Sequence, residues 1–406
     1  MTGIENITEN EYAHWLFNVP GLGKKSIDKL LCSGKSCSEI FAADKSYFKN
    51  IITEKQINKL ENSRKNWNFA KEKEKLKENG ITFISRIDER FPEKLKNISD
   101  PPFAIYVKGS LPDPEKPTVA IIGARMCSDY GRFMARNFGR GLALAGVQVI
   151  SGMARGVDGI SQKAAVSAGG NSFAIVGCGA DICYPEENKD LYDDLNTNGG
   201  IISEFPPGTM PKANFFPMRN RIISGLADVV LVIEAREKSG TQITVDTALE
   251  QGREVMAVPG RVTDRLSDGC NLLISQGAGI AIRTEDVLDR LSMMGKMNSK
   301  GAGCKESYTQ SKEVVEDLGE ISEDKQNVTK ALSSIEEMIL SQIDIIPVSS
   351  SQILEGLYKN GTDISVPELL KTLMDMCYNG LIVQNGAYYR KLAHKELQSD
   401  TLFETM

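Results

Sequence analysis

The sequence predicts an α/β protein with a doubly wound parallel sheet at its centre. Six short apolar runs lie between residues 118 and 258, and helical stretches of about a dozen residues separate most of them. Continuous apolar strands that alternate with amphipathic helices are typical of a parallel sheet covered by helices on both faces. The segments before and after this region have helical patterns, so we expect a further domain on each side.

The predicted strands are apolar along most of their length, as is typical of strands buried on both faces. They are Thr118–Ile122, Val147–Ile150, Ser172–Val176, Gly200–Ser203, Val229–Ile233 and Val255–Val258. With the helices between and after them, they place the sheet domain at residues 118–290.

Residues 1–75 are predicted to form a helical domain of the SAM or helix-hairpin-helix type. Gly21 and Gly23 make a tight turn just before a helix that begins near Lys24. Such a turn can hold a phosphate oxygen with its amides and the helix N-terminus, or it can simply reverse the chain within a helical bundle. Residues 76–117 are charged and then rich in proline, so we expect a connector that leads into the sheet domain.

Polar and charged residues dominate positions 291–330, which predicts a flexible linker. Residues 331–395 regain helical periodicity and end in two short strands turned at Asn385-Gly386, which together indicate a winged-helix domain. The helix in the recognition position, over residues 366–378, carries two acids and one base. A helix that reads the major groove is basic there, so we expect protein interaction, autoregulation or a passive cap instead.

Composition excludes several classes of protein. Of the 406 residues, 41% are hydrophobic and 25% are charged, as in a globular protein, and the formal net charge is -6. No apolar run approaches the ~20 residues of a membrane span, and the N-terminus lacks the pattern of a signal peptide, so we predict a cytoplasmic protein with no membrane partner. The eight cysteines form no CxxC pair, and the two histidines, His14 and His394, lie far apart. We therefore predict neither a metal site nor a disulfide framework.

Residues 205–227 are the most informative segment of the chain. They contain no acidic residue, and four prolines stiffen them. The segment's three cations lie close to two adjacent rings and an amide: Lys212, Arg219, Arg221, Phe215, Phe216 and Asn220. Cations that track a backbone and rings that stack on bases suit single-stranded nucleic acid. The alternative is that the rings anchor the loop to the core and the arginines form ion pairs or stay solvated.

Three predicted strand ends are rich in glycine, and each precedes the N-terminus of a helix. These turns are Gly123-Ala-Arg125, Ser151–Asp158 and Ser239-Gly240-Thr241. Ligands of open parallel sheets bind outside the carboxyl ends of the strands, where a helix N-terminus favours an anion. A dinucleotide needs G-x-G-x-x-G at the first turn, but Arg125 replaces the second glycine, and the chain has no G-x-x-x-x-G-K-[ST] motif. We therefore predict no cofactor and expect Arg125 to bind a phosphate of a strand.

Five ordered blocks of the sheet region resemble the DNA-processing protein A family, also called Smf. The blocks are residues 121–125, 151–158, 216–226, 239–241 with 247–253, and 258–260 with 269–278. Members of this family often carry a small helical domain before the sheet and a winged helix after it. The resemblance implies an extended Rossmann-like fold and a single-stranded DNA-binding protein rather than an enzyme. Such a protein protects incoming strands and loads a RecA-type recombinase during natural transformation.

The resemblance also implies which residues bind the strand. It assigns Arg125 and Gly152 to a phosphate pocket, and Lys212 and Phe215 to contacts with backbone and base. The full set of candidate DNA-binding residues is Gly123, Arg125, Ser151, Gly152, Lys212, Phe215, Arg219, Asn220, Arg221, Ser239, Gly240 and Thr241. We assign Phe216 to the core. Arg219 remains open between a DNA contact and an ion pair with Glu204 or Glu234.

The resemblance further implies partners. The family dimerises through its sheet domain, so a homodimer is expected, and a single-strand coat protein is a further candidate partner. The rival interpretation is a nucleotide-binding enzyme of the phosphoribohydrolase class, whose members carry P-G-G-x-G-T-x-x-E. Here that region reads Lys238-Ser-Gly-Thr241, and the nearest following acid is Asp246, so the carboxylate expected near the phosphate loop is missing. A transcriptional regulator acting through the winged helix is the third interpretation.

Overall fold

The computed structural model describes residues 7–297, 334–343, 348–362, 364–378, 381–385 and 388–391. The chain divides into two compact units, one before and one after residue 303. The part of the predicted linker that follows residue 297 lies outside the described residues. Among the described helices, none combines the length and the apolar character that a membrane span requires.

In the described residues, six helices precede the sheet. They are α1 (Glu9–Phe17), α2 (Lys24–Leu31), α3 (Cys37–Ala42), α4 (Lys45–Phe48), α5 (Glu54–Asn66) and α6 (Phe69–Glu78). Helices α1, α3 and α5 each begin with a capping box, in which two side chains three residues apart bind each other's backbone N–H groups. Helix α2 begins at Lys24, directly after the predicted turn, and Gly21 in that turn has a φ of +78°, which favours glycine.

Nine of the described strands form one sheet. They are β1 (Ile81–Ser85), β2 (Ala104–Gly109), β3 (Thr118–Ile122), β4 (Gln148–Ser151), β5 (Ser172–Val176), β6 (Gly199–Ser203), β7 (Val229–Val232), β8 (Glu254–Ala257) and β9 (Gly279–Ile280). Their order is β1-β2-β6-β5-β4-β3-β7-β8-β9. Strand β2 pairs antiparallel with β1 and β6, and the other neighbours are parallel. The sheet is therefore mostly parallel, which confirms the predicted α/β class.

Helices cover both faces of this sheet. They are α7 (Glu93–Lys96), α8 (Asp129–Leu144), α9 (Val157–Ser167), α10 (Lys189–Thr197), α11 (Phe215–Leu226), α12 (Gly240–Glu250), α13 (Asp268–Ser275) and α14 (Thr284–Met293), with one 3-10 turn at Glu186–Asn188. Successive residues of β3 point to opposite faces. Val119 and Ile121 share a core with α8, α9 and α14, whereas Ala120 and Ile122 share a core with α11, α12 and α13.

The order of the strands reverses at β3. Strands β4, β5 and β6 follow on one side of it, and β7, β8 and β9 follow on the other. The carboxyl ends of β3 and β7, at Ile122 and Val232, therefore lie side by side. This is the topological switch point, at which open α/β sheets bind their ligands.

Strands β1 and β2 lie within residues 76–117, where the sequence analysis expects a connector. The backbone of β2 pairs antiparallel with β6 and so extends the parallel sheet at its edge. Residues 104–107 of β2 are all buried, which explains why this proline-flanked segment forms a strand. An antiparallel extension has no intervening helix of regular length, so the strand–helix alternation of the sequence does not reveal it.

The described part of the second unit contains three helices and three short strands. They are α15 (Ser334–Gln342), β10 (Val348–Ser349), α16 (Ser350–Lys359), α17 (Val366–Tyr378), β11 (Ile382–Asn385) and β12 (Tyr388–Lys391). The strands pair antiparallel in the order β10-β12-β11. Ile339, Leu357 and Leu373 form part of a core between the helices. Gly386, in the predicted turn between the last two strands, lies outside the described residues.

One buried carboxylate connects α7 to the sheet. Asp228 is 3% exposed and accepts hydrogen bonds from Lys94 Nζ at 2.7 Å and from the N–H and hydroxyl groups of Thr118, both at 2.9 Å. Burial alone would raise the pKa of Asp228, but Lys94 and Thr118 outweigh it and hold this pKa below its usual range.

We expect Asp228→Ala to lower the free energy of unfolding at pH 7 by about 2–3 kcal/mol, because it leaves Lys94 without its counter-charge and the Thr118 N–H without its acceptor. Since the folded pKa of Asp228 is depressed, its contribution is complete above the pKa of an unfolded aspartate and is lost as the pH falls through the folded pKa. Urea unfolding of both proteins from neutral to acid pH measures this difference.

The control is Asp193→Ala, which breaks an exposed pair with Lys189 on α10 and should cost less than about 0.5 kcal/mol. Equal stability of the wild type and the Asp228→Ala variant at pH 7 would show that the buried carboxylate does not stabilise the fold.

Candidate nucleic-acid interface

Two adjoining cavities open at the switch point of the sheet. Their volumes are about 400 and about 420 Å³, and they share Arg125, Arg219, Asn220 and Gly240 as lining residues. We call these cavities together the sheet-edge cleft. Three more of the predicted residues, Gly123, Ser239 and Thr241, line the cleft. A smaller adjoining cavity is lined by one further predicted residue, Gly152. The fold therefore brings eight of the twelve predicted residues to one place.

An arginine lies over an aromatic ring in the wall of the cleft. The Arg125 guanidinium is 5.5 Å from the centroid of the Phe216 ring, and the Tyr184 ring centroid is 5.7 Å from the same ring. Phe216 is half-buried and lines the cleft, so its assignment to the core is wrong. The reason is that α11 begins at Phe215, and the residues that it buries begin one turn later, at Arg219.

Helix α12 presents its N-terminus to the cleft. Gly240 and Thr241, its first two residues, line the cleft, and the Ser239 side chain makes no capping hydrogen bond to the helix. The Ser239 hydroxyl oxygen is buried and, within the residues that the structure describes, has no hydrogen-bond partner. Because a helix N-terminus carries about half a positive charge, this end of α12 favours an anion.

The N-terminus of α8, in contrast, is occupied by a side chain of the protein itself. The Glu234 carboxylate is 1% exposed and accepts hydrogen bonds from the Ser128 N–H at 2.9 Å and from the Ser128 hydroxyl. A Cβ atom on Gly131 would collide with this carboxylate. Burial raises the pKa of Glu234, although the hydrogen bonds from Ser128 oppose the rise. The anion at this turn is therefore the protein's own Glu234 carboxylate. Arg125, in the same turn, lines the cleft.

Arg219 is a buried cation in the lining of the cleft. It is 5% exposed, and its Nη1 donates hydrogen bonds to the Gly152 carbonyl at 2.9 Å and to the Ile175 carbonyl. Asp158, which is 7% exposed, lies beside it and accepts the Gly152 N–H at 3.1 Å. Burial lowers the pKa of Arg219 to about 10, and the charge of Asp158 opposes this change. The guanidinium therefore stays charged at neutral pH and holds the Gly152 loop.

Two more predicted residues are engaged within the protein. Arg221, rather than Arg219, pairs with Glu204 at 2.7 Å, and it also pairs with Asp100 at 2.9 Å. Ser151 is buried, and its hydroxyl donates a hydrogen bond to the backbone of β3 at 2.6 Å. Neither residue lines the cleft. Both connect elements around it.

Lys212 lies on the loop before α11, and Phe215 is the first residue of that helix. The Phe215 ring stacks on the Phe205 ring with their centroids 4.2 Å apart. Lys212 is exposed, and its Nζ atom is 5.6 Å from the centroid of the Phe215 ring. A second contact between a cation and a ring thus lies outside the cleft, next to the one that Arg125 and Phe216 form within it.

Sequence reasoning assigned no role to Tyr184 or Asp158, and it named Glu234 only as an alternative ion-pair partner of Arg219. Tyr184 is 44% exposed and lines the cleft, but it lies in an irregular segment between β5 and α10, where no periodicity marks it. The sequence gives a weak indication that Asp158 and Glu234 are buried carboxylates with internal partners. Each is an acid directly beside a glycine-rich turn or an apolar strand, where burial requires a partner.

Comparison with known proteins gives consistent matches. Residues 82–292 match the model of the family described as DNA recombination-mediator protein A. DNA processing protein DprA of Streptococcus pneumoniae is 41% identical over 205 residues, which are 50% of this chain and 72% of that protein. DNA processing protein DprA of Bacillus subtilis is 39% identical over 216 residues, 53% of this chain and 73% of that protein. The X-ray structure of DNA processing protein A from Streptococcus pneumoniae superimposes with a TM-score of 0.60 at 32% identity, covering 69% of this chain and 97% of that one.

We expect Arg219→Met to lower the free energy of unfolding by about 3–5 kcal/mol, because it leaves the buried Asp158 carboxylate without its counter-charge. Combined with Asp158→Asn, the substitution should cost less than the sum of the two single changes, by about 1 kcal/mol or more. Urea unfolding of the wild type and the three variants measures this cycle. Strictly additive losses would mean that the two charges do not stabilise each other.

Proposed function

The chain belongs to the family of DNA recombination-mediator protein A, and we propose that it binds single-stranded DNA in the sheet-edge cleft and loads a RecA-type recombinase onto that strand. In this proposal the protein also protects incoming strands during natural transformation, and it works in the cytoplasm. The observation that carries the proposal is the contact between the Arg125 guanidinium and the Phe216 ring in the wall of the cleft.

A cation in contact with a ring suits a ligand whose phosphates alternate with flat bases. We assign Arg125 to a phosphate, to which a guanidinium can donate two parallel hydrogen bonds, and Phe216 to a base. The amides of Gly240 and Thr241 provide donors at the helix N-terminus for the same phosphate or the next one. Gly123 lets the floor of the cleft pack closely against α9, because a Cβ atom there would lie 2.8 Å from the Val157 side chain.

The remaining residues of the predicted set have two kinds of role in this proposal. Lys212 and Phe215 extend the path of the strand beyond the cleft, with the exposed ammonium on a phosphate and the ring edge beside a base. Arg219, Arg221 and Ser151 hold the walls of the cleft through their internal bonds instead of contacting DNA.

Assembly and domain structure form a further part of the proposal. A homodimer through the sheet domain would place two clefts along one strand, and a single-strand coat protein would be the partner that is displaced. We propose a helical domain of the SAM or helix-hairpin-helix type over residues 1–75 and a winged helix over 331–395. The linker expected over 291–330 begins after α14, which ends at Met293. Strands β1 and β2 are assigned to the sheet domain rather than to a connector, because they pair within the sheet.

We also propose that the protein binds without catalysis. In nucleotide-binding sheets the first turn after a strand holds a phosphate at the helix N-terminus. Here the Glu234 carboxylate takes the corresponding place at α8, and it would repel the phosphate of a mononucleotide. This favours a strand bound across the cleft over a nucleotide that is turned over within it.

We expect Arg125→Ala combined with Lys212→Ala to weaken binding of oligothymidine and to flatten its salt dependence. Each phosphate contact with a single strand contributes about 0.7 to the slope of log affinity against log salt, so two lost contacts should reduce the slope by about 1.4. Fluorescence anisotropy at several salt concentrations measures this slope. An unchanged slope would remove the assignment of both cations.

We expect Phe216→Ala to weaken oligothymidine binding by about 1–3 kcal/mol, the contribution of one stacked base. Phe216→Tyr keeps the aromatic face and should bind nearly as tightly as the wild type, which separates stacking from a general loss of packing. If the alanine variant binds as well as the wild type, the base does not lie on this ring.

The loading step needs its own experiment. The full-length protein is added to a RecA-type recombinase and to single-stranded DNA covered with single-strand coat protein, and filament formation is followed over time. The wild type should allow the recombinase to displace the coat protein, and the Arg125→Ala, Lys212→Ala variant should not. Displacement at the same rate without the protein would contradict the proposed loading.

A further inference from the structure

Helix α8 carries a row of arginines that the proposed site does not use. Arg132, Arg136 and Arg140 follow at intervals of four residues, so they lie on one face of the helix, about 6 Å apart along its axis. All three are exposed. Arg132 has a distant acidic contact, Asp129 at 3.9 Å, and no ion pair joins Arg136 or Arg140 to another residue in the described part of the chain.

Such a row carries a small repulsive free-energy cost, which a bound anion would remove. Like charges four residues apart on a helix repel each other, and α8 has only Asp129 to offset three arginines in a protein of net charge -6. On α10, by contrast, Lys189 pairs with an acid four residues later, Asp193. We call Arg132, Arg136 and Arg140 the arginine row.

A ring and an amide lie beside the arginine row. Phe133 is 40% exposed, and Asn137, four residues later on the same face, is also exposed. An exposed phenylalanine beside cations offers a flat face on which a base can stack. The face thus repeats the composition of the cleft wall, which also combines arginine, phenylalanine and asparagine. This combination favours a nucleic-acid strand over an acidic protein as its ligand.

We propose that the arginine row binds consecutive phosphates of single-stranded DNA and continues the path of a strand that enters or leaves the sheet-edge cleft at Arg125. Helix α8 begins at Asp129, four residues after Arg125, so the row leads away from the carboxyl edge of the sheet. Its three guanidinium groups span about 12 Å along the helix axis. This inference rests on the proposed function, because the strand reaches the row from the cleft.

The test compares two lengths of oligothymidine with the full-length protein carrying Arg136→Ala and Arg140→Ala. For a strand of about 40 nucleotides, the slope of log affinity against log salt should fall by about 1.4, at about 0.7 for each lost phosphate contact. A strand of about six nucleotides, which fits the cleft alone, should bind as it does to the wild type. Arg136→Lys with Arg140→Lys keeps both charges and should retain most of the slope.

A charge-matched control removes two exposed cations elsewhere, Lys65→Ala on α5 with Lys71→Ala on α6, and should leave the slope unchanged. If the arginine-row variant keeps the long-strand slope while the Arg125→Ala, Lys212→Ala variant loses it, the cleft is the whole site and the inference is wrong. An acidic protein as the real ligand would give this same result. If the Arg125→Ala, Lys212→Ala variant keeps the slope and the arginine-row variant loses it, the proposed binding site in the cleft is wrong and α8 alone binds the strand.

Discussion

The carboxyl edge of the sheet depends on the buried pair of Arg219 and Asp158. The guanidinium comes from α11, and it donates hydrogen bonds to the loop after β4 and to the end of β5. Burying either charge alone would be costly, so each depends on the opposite charge nearby and on its own hydrogen bonds to the backbone. A Cβ atom on Gly152 would lie 2.5 Å from the guanidinium, so the loop closes tightly over the pair. The cleft above is therefore shaped before any ligand arrives.

Internal carboxylates determine which helix N-termini remain open to a ligand. Glu234 fills the end of α8, and Asp158 binds the amide of the loop before α9. Helix α12 has no such side chain at its start, and its first residues line the cleft. A protein of net negative charge can thus offer one local site for an anion. Arg125 adds a full charge to that site.

Much of the fold follows from the sequence, and the reason is local. Apolar runs separated by helical stretches can be buried only as parallel strands covered on both faces, and the six predicted strands all belong to the sheet. Strands β1 and β2 do not follow from that pattern, because they join the edge by antiparallel pairing without a crossover helix. The glycine-rich turns were also located correctly, because each follows a parallel strand and parallel strands all end at the same edge of the sheet.

The sequence by itself determined the sheet, the glycine-rich turns and the kind of residues that gather at its edge. Only the tertiary structure decided what each of those residues does. Arg219 and Arg221 look alike in the sequence, yet Arg219 is buried and bonds to the Gly152 and Ile175 carbonyls, whereas Arg221 pairs with Glu204. Phe216 lies in the cleft wall rather than in the core. Such assignments depend on partners far away along the chain, and charge and burial act through space, so no local pattern can record them.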